Sequence, residues 1–171
     1  MTHLTIDLDY WDNRHFDNCK EGKQYITFIF KRFKDILVVN EHHEILPFVN
    51  TQTLDKIINV DFHSDITYEP EKILNEGTWA NFINNRKDMS FEWHMPNKKI
   101  CLTQSWGRCD NDQFLRPVSK KLLGYKKVAF VEGLQKIDYN QIASVSISLS
   151  REWTNGELEK CLVEKRYWSF L

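Results

Sequence analysis

Two short tracts in this sequence set ionisable side chains two residues apart: Asp7 and Asp9 near the start, and Asp61, His63 and Asp65 further along. Residues spaced by two project from one face of an extended strand, so each tract presents its acids together. Both follow apolar runs, which places them at strand ends, where open α/β sheets hold their ligands. If the two strands are neighbours, four carboxylates converge. Such a group cannot ionise side by side unless cations neutralise it, and four negative charges match two divalent ions. Carboxylates mixed with imidazole suit manganese or iron better than a closed structural zinc site, which favours thiolates. Asp7 and Asp9 alone would read as a polar sheet face. Beside Asp61, His63 and Asp65 the metal reading is the stronger one. The adjacent His42 and His43 add a further donor, because side-chain alternation lets one of them face the site.

These groups need elements to carry them. Leu4, Ile6, Leu8 and Tyr10 alternate with Thr5, Asp7 and Asp9, the period of a strand. The β-branched and aromatic content of Gln24 to Phe33 and of Asp35 to Asn40 predicts two further strands, together a hairpin. Leu54 to Ile58 reads as a short helix leading into the apolar run Ile57, Ile58, Val60 and Phe62. Glu71 to Asn85, opened by Pro70, predicts one or two helices. Strands are expected at Lys99 to Gln104, Lys126 to Glu132 and Ala143 to Ser150. The stripe Leu158, Cys161, Leu162 and Lys165 predicts a closing helix over Asn155 to Phe170, with Thr154 or Asn155 as its N-cap. Strands interleaved with helices make an α/β layered domain with a mostly parallel sheet.

Composition narrows the class. With 171 residues the chain is one domain over 1–171, and 23 Lys+Arg against 24 Asp+Glu give no bulk-charge affinity for nucleic acid. Six Trp and eleven Phe fill a core. The cysteines Cys19, Cys101, Cys109 and Cys161 form no CxxC pair, which fits a reducing compartment. The first residues lack a signal-peptide pattern and no segment is apolar over a bilayer's span, so a cytoplasmic protein without membrane partners is expected. Oligomeric state leaves no mark in the sequence.

Asp61-Phe62-His63-Ser64-Asp65 resembles the D-x-H-x-D tract of the ureohydrolases, the arginase and agmatinase superfamily, and Thr5 to Asp12 resembles their S-x-D-x-D-x-x-D tract. Asn40-Glu41-His42-His43 sits where their G-D-H-S histidine would. His42 to Phe48, a double His before Leu-Pro-Phe, and Glu76-Gly77-Thr78-Trp79 are similar to small arginase-like proteins that include the peptide arginases of ribosomal peptide biosynthesis. The resemblance implies a three-layer arginase-like fold of reduced size. It implies two Mn2+ ions, with Fe2+ or Co2+ as substitutes: His42, Asp61, Asp65 and Asp7 around one, and His63, Asp61, Asp7 and Asp9 around the other. It also implies hydrolysis of a peptidyl arginine to ornithine and urea, with Asp65 moving the proton and Glu76, or else Glu132, facing the guanidinium. Trp79, Trp93 or Trp106 would flank the peptide substrate.

Two departures accompany it. The D-x-D tract precedes the D-x-H-x-D tract instead of following it, and Ser146 to Ser150 has the strand pattern without acids; a permuted strand order could restore the site. Taken alone, Glu76 reads as a solvated helix residue, Trp79 as packing, and His15 and His94 as surface or supporting groups. Two other classes stand beside the guanidinium hydrolase. One is a dinuclear hydrolase of another amidine, an amide or a phosphoester, although the Gly-Asp and Gly-Asn-His of metallophosphoesterases do not follow His63. The other is a catalytically silent arginase-like binding module.

Overall fold

The computed structural model describes residues 1–14, 16–50, 53–62, 90–95, 98–102, 134 and 136–162. In chain order the elements are β1 (Thr2–Asp7), β2 (Asp12–Asn13), β3 (Phe16–Asp17), α1 (Cys19–Arg32), β4 (Ile36–Val39), α2 (Leu46–Asn50), β5 (Lys56–Val60), β6 (Ser90–Met95), β7 (Lys98–Leu102) and β8 (Ile142–Ser148). Residues 157–162 are helical. The main sheet runs β4-β8-β1-β5-β6-β7. Strands β4, β8, β1 and β5 are parallel, β6 joins β5 in parallel, and β7 closes the edge antiparallel to β6. The protein is therefore α/β with a largely parallel sheet.

Why the first strand lies at the centre follows from its side chains. Residues 3–7 are all buried, so both faces of β1 are covered. Leu4 and Ile6 pack with Ile58 and Val60 of β5 and with Val145 and Ile147 of β8 in the main apolar cluster, against Ile26 and Ile29 of α1 and Leu158 and Leu162 of the last helical residues. The opposite face is polar near β1: His3, Thr5 and Asp7, flanked by Asn59 on β5 and Ser146 and Ser148 on β8, all buried. Ile45, Val49, Leu54 and Ile57 are buried outside the main cluster, on that second side. The sheet is thus packed on both faces, as a three-layer α/β fold requires.

The connections set where a ligand belongs. From β1 the chain passes through α1 to β4 at one edge, then through α2 to β5 on the far side of β1. The connection from β1 to β4 and the next from β4 to β5 end on opposite sides of β1, the arrangement at which open α/β sheets hold ligands outside the carboxyl ends of their strands.

Several expectations change. Gln24 to Phe33 is not a strand of a hairpin but the body of α1, because Gly22, Ile26 and Ile29 fall on one buried helical face while Lys23, Gln24 and Phe28 are exposed. β1 stops at Asp7, and Leu8–Tyr10 form a 3-10 turn that Asp7 caps by accepting the Asp9 amide. Residues 54–58 hold no helix: the short helix comes earlier, at Leu46–Asn50, and Lys56 already belongs to β5. Neither Thr154 nor Asn155 caps the closing helix. The Asp12 carboxylate does so from 143 to 146 residues away, accepting the amides of Asn155 (3.2 Å), Glu157 (2.9 Å) and Leu158 (3.3 Å).

The strands expected near Lys99 and Ala143 are present as β7 and β8. The helices expected over Glu71 to Asn85, the strand at Lys126 to Glu132 and the end of the closing helix lie outside the described residues. No helix among the described residues is long and apolar enough to cross a membrane.

Candidate metal centre

Three separate elements deliver one cluster. Asp7 ends β1, Asp61 directly follows β5, and His42 opens the 3-10 turn His42–Ile45 after β4. All three are buried, and a ligand atom from each lies within 4.8 Å of the others. His42 Nδ1 is 3.4 Å from Asp7 Oδ2 and 3.3 Å from Asp61 Oδ2. β1 and β5 are adjacent and in register, Ile6 opposite Val60, so Asp7 and Asp61 reach the same height at the carboxyl edge.

The supporting contacts fix how each group faces. Thr5 Oγ1 lies 2.8 Å from His42 Nε2, which leaves Nδ1 toward the two carboxylates. When Nε2–H donates to Thr5, the Nδ1 lone pair confronts two anionic oxygens, an arrangement that repels until a cation stands between them. Asp7 Oδ1 accepts the Asp9 amide at 3.1 Å, and Oδ2 accepts the Ser150 hydroxyl at 2.6 Å. Asp61 Oδ2 accepts Asn59 Nδ2 at 3.2 Å. Asn59 is fully buried, and its Oδ1 has no hydrogen-bond partner among the described residues. Two carboxylates and one imidazole are hard and borderline donors, a set that could hold a divalent metal ion.

The paired histidines separate cleanly. His42 is buried in the cluster and His43 is exposed, because a 3-10 turn rotates neighbours apart. Glu41, just before them, has its carboxyl raised above the usual range by burial first and by the Glu152 and Asp7 charges next.

Asp9 is buried beside the cluster but in the 3-10 turn, not on a strand face shared with Asp7. Its Oδ1 accepts the Phe62 amide at 3.2 Å, which brings it to the segment that continues into His63. His63, Asp65, Glu76, Glu132, His15, Trp79 and Trp106 lie outside the described residues, as does the side chain of Trp93. His94 is not a surface group: it is buried on β6, its ring 2.7 Å from Glu92 Oε1. The Cys19 thiol is pushed up to about 12, by burial before the Asp17 contact, and so stays protonated rather than serving as a thiolate ligand.

Residue-type reasoning overlooked two members of this end of the fold. Ser150 reaches Asp7 only because β8 pairs with β1, and Asp12 reaches the closing helix only through the tertiary fold. The serine tract 146–150 reads as a strand; that the Ser150 hydroxyl lies beside Asp7 has no local signal. No protein-family profile, curated protein or solved structure matches the chain.

Proposed function

We propose that this protein is a manganese-dependent hydrolase of guanidinium groups that converts arginine residues of a peptide into ornithine and urea. The observation that carries the metal part is the convergence of Asp7, His42 and Asp61 from three elements at the carboxyl edge of a parallel sheet. The guanidinium and the peptide rest on the resemblance of the D-x-H-x-D, S-x-D-x-D and double-histidine tracts.

In this reading Asp7, Asp61, His42 and Asp65 would hold one divalent ion, and His63 and Asp9 would join Asp7 and Asp61 in holding a second. Bound divalent cations supply the Lewis acidity that makes water a nucleophile near neutral pH. Thr5 keeps the His42 ring oriented, and Ser150 and Asn59 hold the Asp7 and Asp61 carboxylates in place. Asp65 carries the proton from the attacking water to the departing nitrogen, so that one water and one guanidinium give urea and an amine. Glu76 offers the planar carboxylate that a guanidinium fork accepts.

Metal content and product tests decide the matter. Purified protein with added manganese is expected to hold the metal at stoichiometric level and to release urea from an arginine-containing peptide, with ornithine appearing by mass spectrometry. Asp61→Asn is expected to lose more metal affinity than the 10–100-fold typical of an outer-shell loss. Bound manganese with urea from free arginine alone overturns the peptide substrate. Absence of bound manganese overturns the metal centre. A silent binding module is the second reading, favoured by the serines that β8 places beside Asp7; that reading stands if no guanidino compound is turned over.

A further inference from the structure

Ser150 is the one non-glycine residue among those described whose φ is positive, at 45°. A residue with a Cβ adopts that left-handed conformation at a cost glycine escapes, and such residues gather at functional sites. Ser150 is also 3% exposed, so its polar atoms must be matched inside the protein. Each of them is. Its amide donates to Asn40 O at 2.8 Å, its carbonyl accepts the amides of Trp153 (2.9 Å) and Thr154 (3.1 Å), and its hydroxyl lies 2.6 Å from Asp7 Oδ2.

The direction of the hydroxyl bond follows from its partner. An ionised carboxylate oxygen can only accept, so the Ser150 proton points at Asp7. Ser148 Oγ lies 3.1 Å from Ser150 Oγ and 3.5 Å from the Asn40 carbonyl, the two acceptors open to its one proton. With the Asp9 amide on Oδ1 and the Ser150 hydroxyl on Oδ2, both oxygens of Asp7 are held, and the carboxylate plane is set. The Ser150 amide meanwhile ties the end of β8 to Asn40, two residues before His42.

We infer that Ser150 is a positioning residue of the metal centre, kept in a strained backbone conformation because its hydroxyl fixes the Asp7 carboxylate while its amide anchors the turn that presents His42. This deepens the metal-centre reading and rests on it. Glycine would suit the backbone better at this position, and only the hydroxyl argues for serine.

Two substitutions separate the roles. Ser150→Gly relieves the backbone and removes the hydroxyl; Ser150→Ala removes the hydroxyl and keeps the strain. Manganese binding by calorimetry, the EPR line shape of the bound Mn2+ and the melting temperature of the metal-free protein are measured for wild type and both variants. Expected is a manganese affinity about 10-fold weaker in both variants, a changed EPR line shape, and a metal-free melting temperature for Ser150→Gly at or above that of wild type. Ser150→Ala should melt lower than Ser150→Gly. If wild type binds manganese and Ser150→Gly binds it equally with the same line shape, Ser150 is only a turn residue and the inference is overturned while the metal centre stands. If wild type takes up no manganese, the metal centre itself fails, and the inference with it.

Discussion

At the scale of single residues, His3 shows how the polar face is kept neutral below the cluster. Its ring sits between two serine hydroxyls, Ser144 Oγ at 2.8 Å from Nδ1 and Ser146 Oγ at 2.8 Å from Nε2. A neutral imidazole has one N–H and one lone pair, so one serine accepts and the other donates. Burial first, and the nearby His42 second, lower its pKa from an ordinary 6.5 to about 4. The unfolded chain therefore takes up this proton near pH 6.5, while the folded chain resists it until about 4. Stability is full above the upper value and falls as pH drops through the interval, by at most about 1.4 kcal/mol per pH unit from this group. Urea midpoints measured at several pH values between 7 and 4.5 should decline less steeply for His3→Gln than for wild type. Equal slopes would show that His3 is not held neutral by the fold.

Among the elements, α1 and the closing helix meet closely at Gly22. A Cβ on Gly22 would come within 2.7 Å of Leu158 Cδ1 and 3.0 Å of Trp11 Cγ. Alanine improves helix propensity by about 1 kcal/mol, yet overpacking a filled site costs about 1–3 kcal/mol. Trp11 is fully buried and cannot yield, so Gly22→Ala should lower the melting temperature, with a net loss of about 1–2 kcal/mol in urea unfolding. A rise in stability would mean that Leu158 swings aside freely. Asp12 holds the same helix at its start, and Asp12→Ala strips a carboxylate from three buried or half-buried amides. The expected cost is about 2 kcal/mol. Hydrogen exchange should show it concentrated at 157–162, whereas uniform loss of protection would contradict a capping role.

These two positions also mark where sequence reading stopped. β4, β5, β7 and β8 were legible because short β-branched runs bounded by polar residues have few other uses. Asp7, Asp61 and His42 were legible as residue types at strand ends. α1 was not, because Tyr25, Ile26, Thr27, Phe28, Ile29 and Phe30 carry the composition of a strand, and only their burial against the sheet selects the helical period. The break after Asp7 was hidden by an alternation that ran on through Leu8 and Tyr10. Asp12 and Ser150 act across more than 140 residues, a distance at which spacing conveys nothing.

For the molecule as a whole, the position of β1 decides the order in which the site can be assembled. β1 begins at Thr2, yet one of its two sheet neighbours, β8, begins at Ile142. At a synthesis rate of roughly 5–20 residues per second, the first strand waits on the order of 10 s for that partner. Through that interval Leu4, Ile6 and the Asp7 carboxylate have one edge uncovered, so the nascent chain is open to capture by chaperones and to pairing with other chains. Ribosome-bound chains should therefore gain protease resistance across β1 only when the arrest point lies far enough beyond Ser150 for β8 to have emerged. Resistance appearing in chains that stop before Ile142 would show that β1 and β5 close the centre of the sheet without β8.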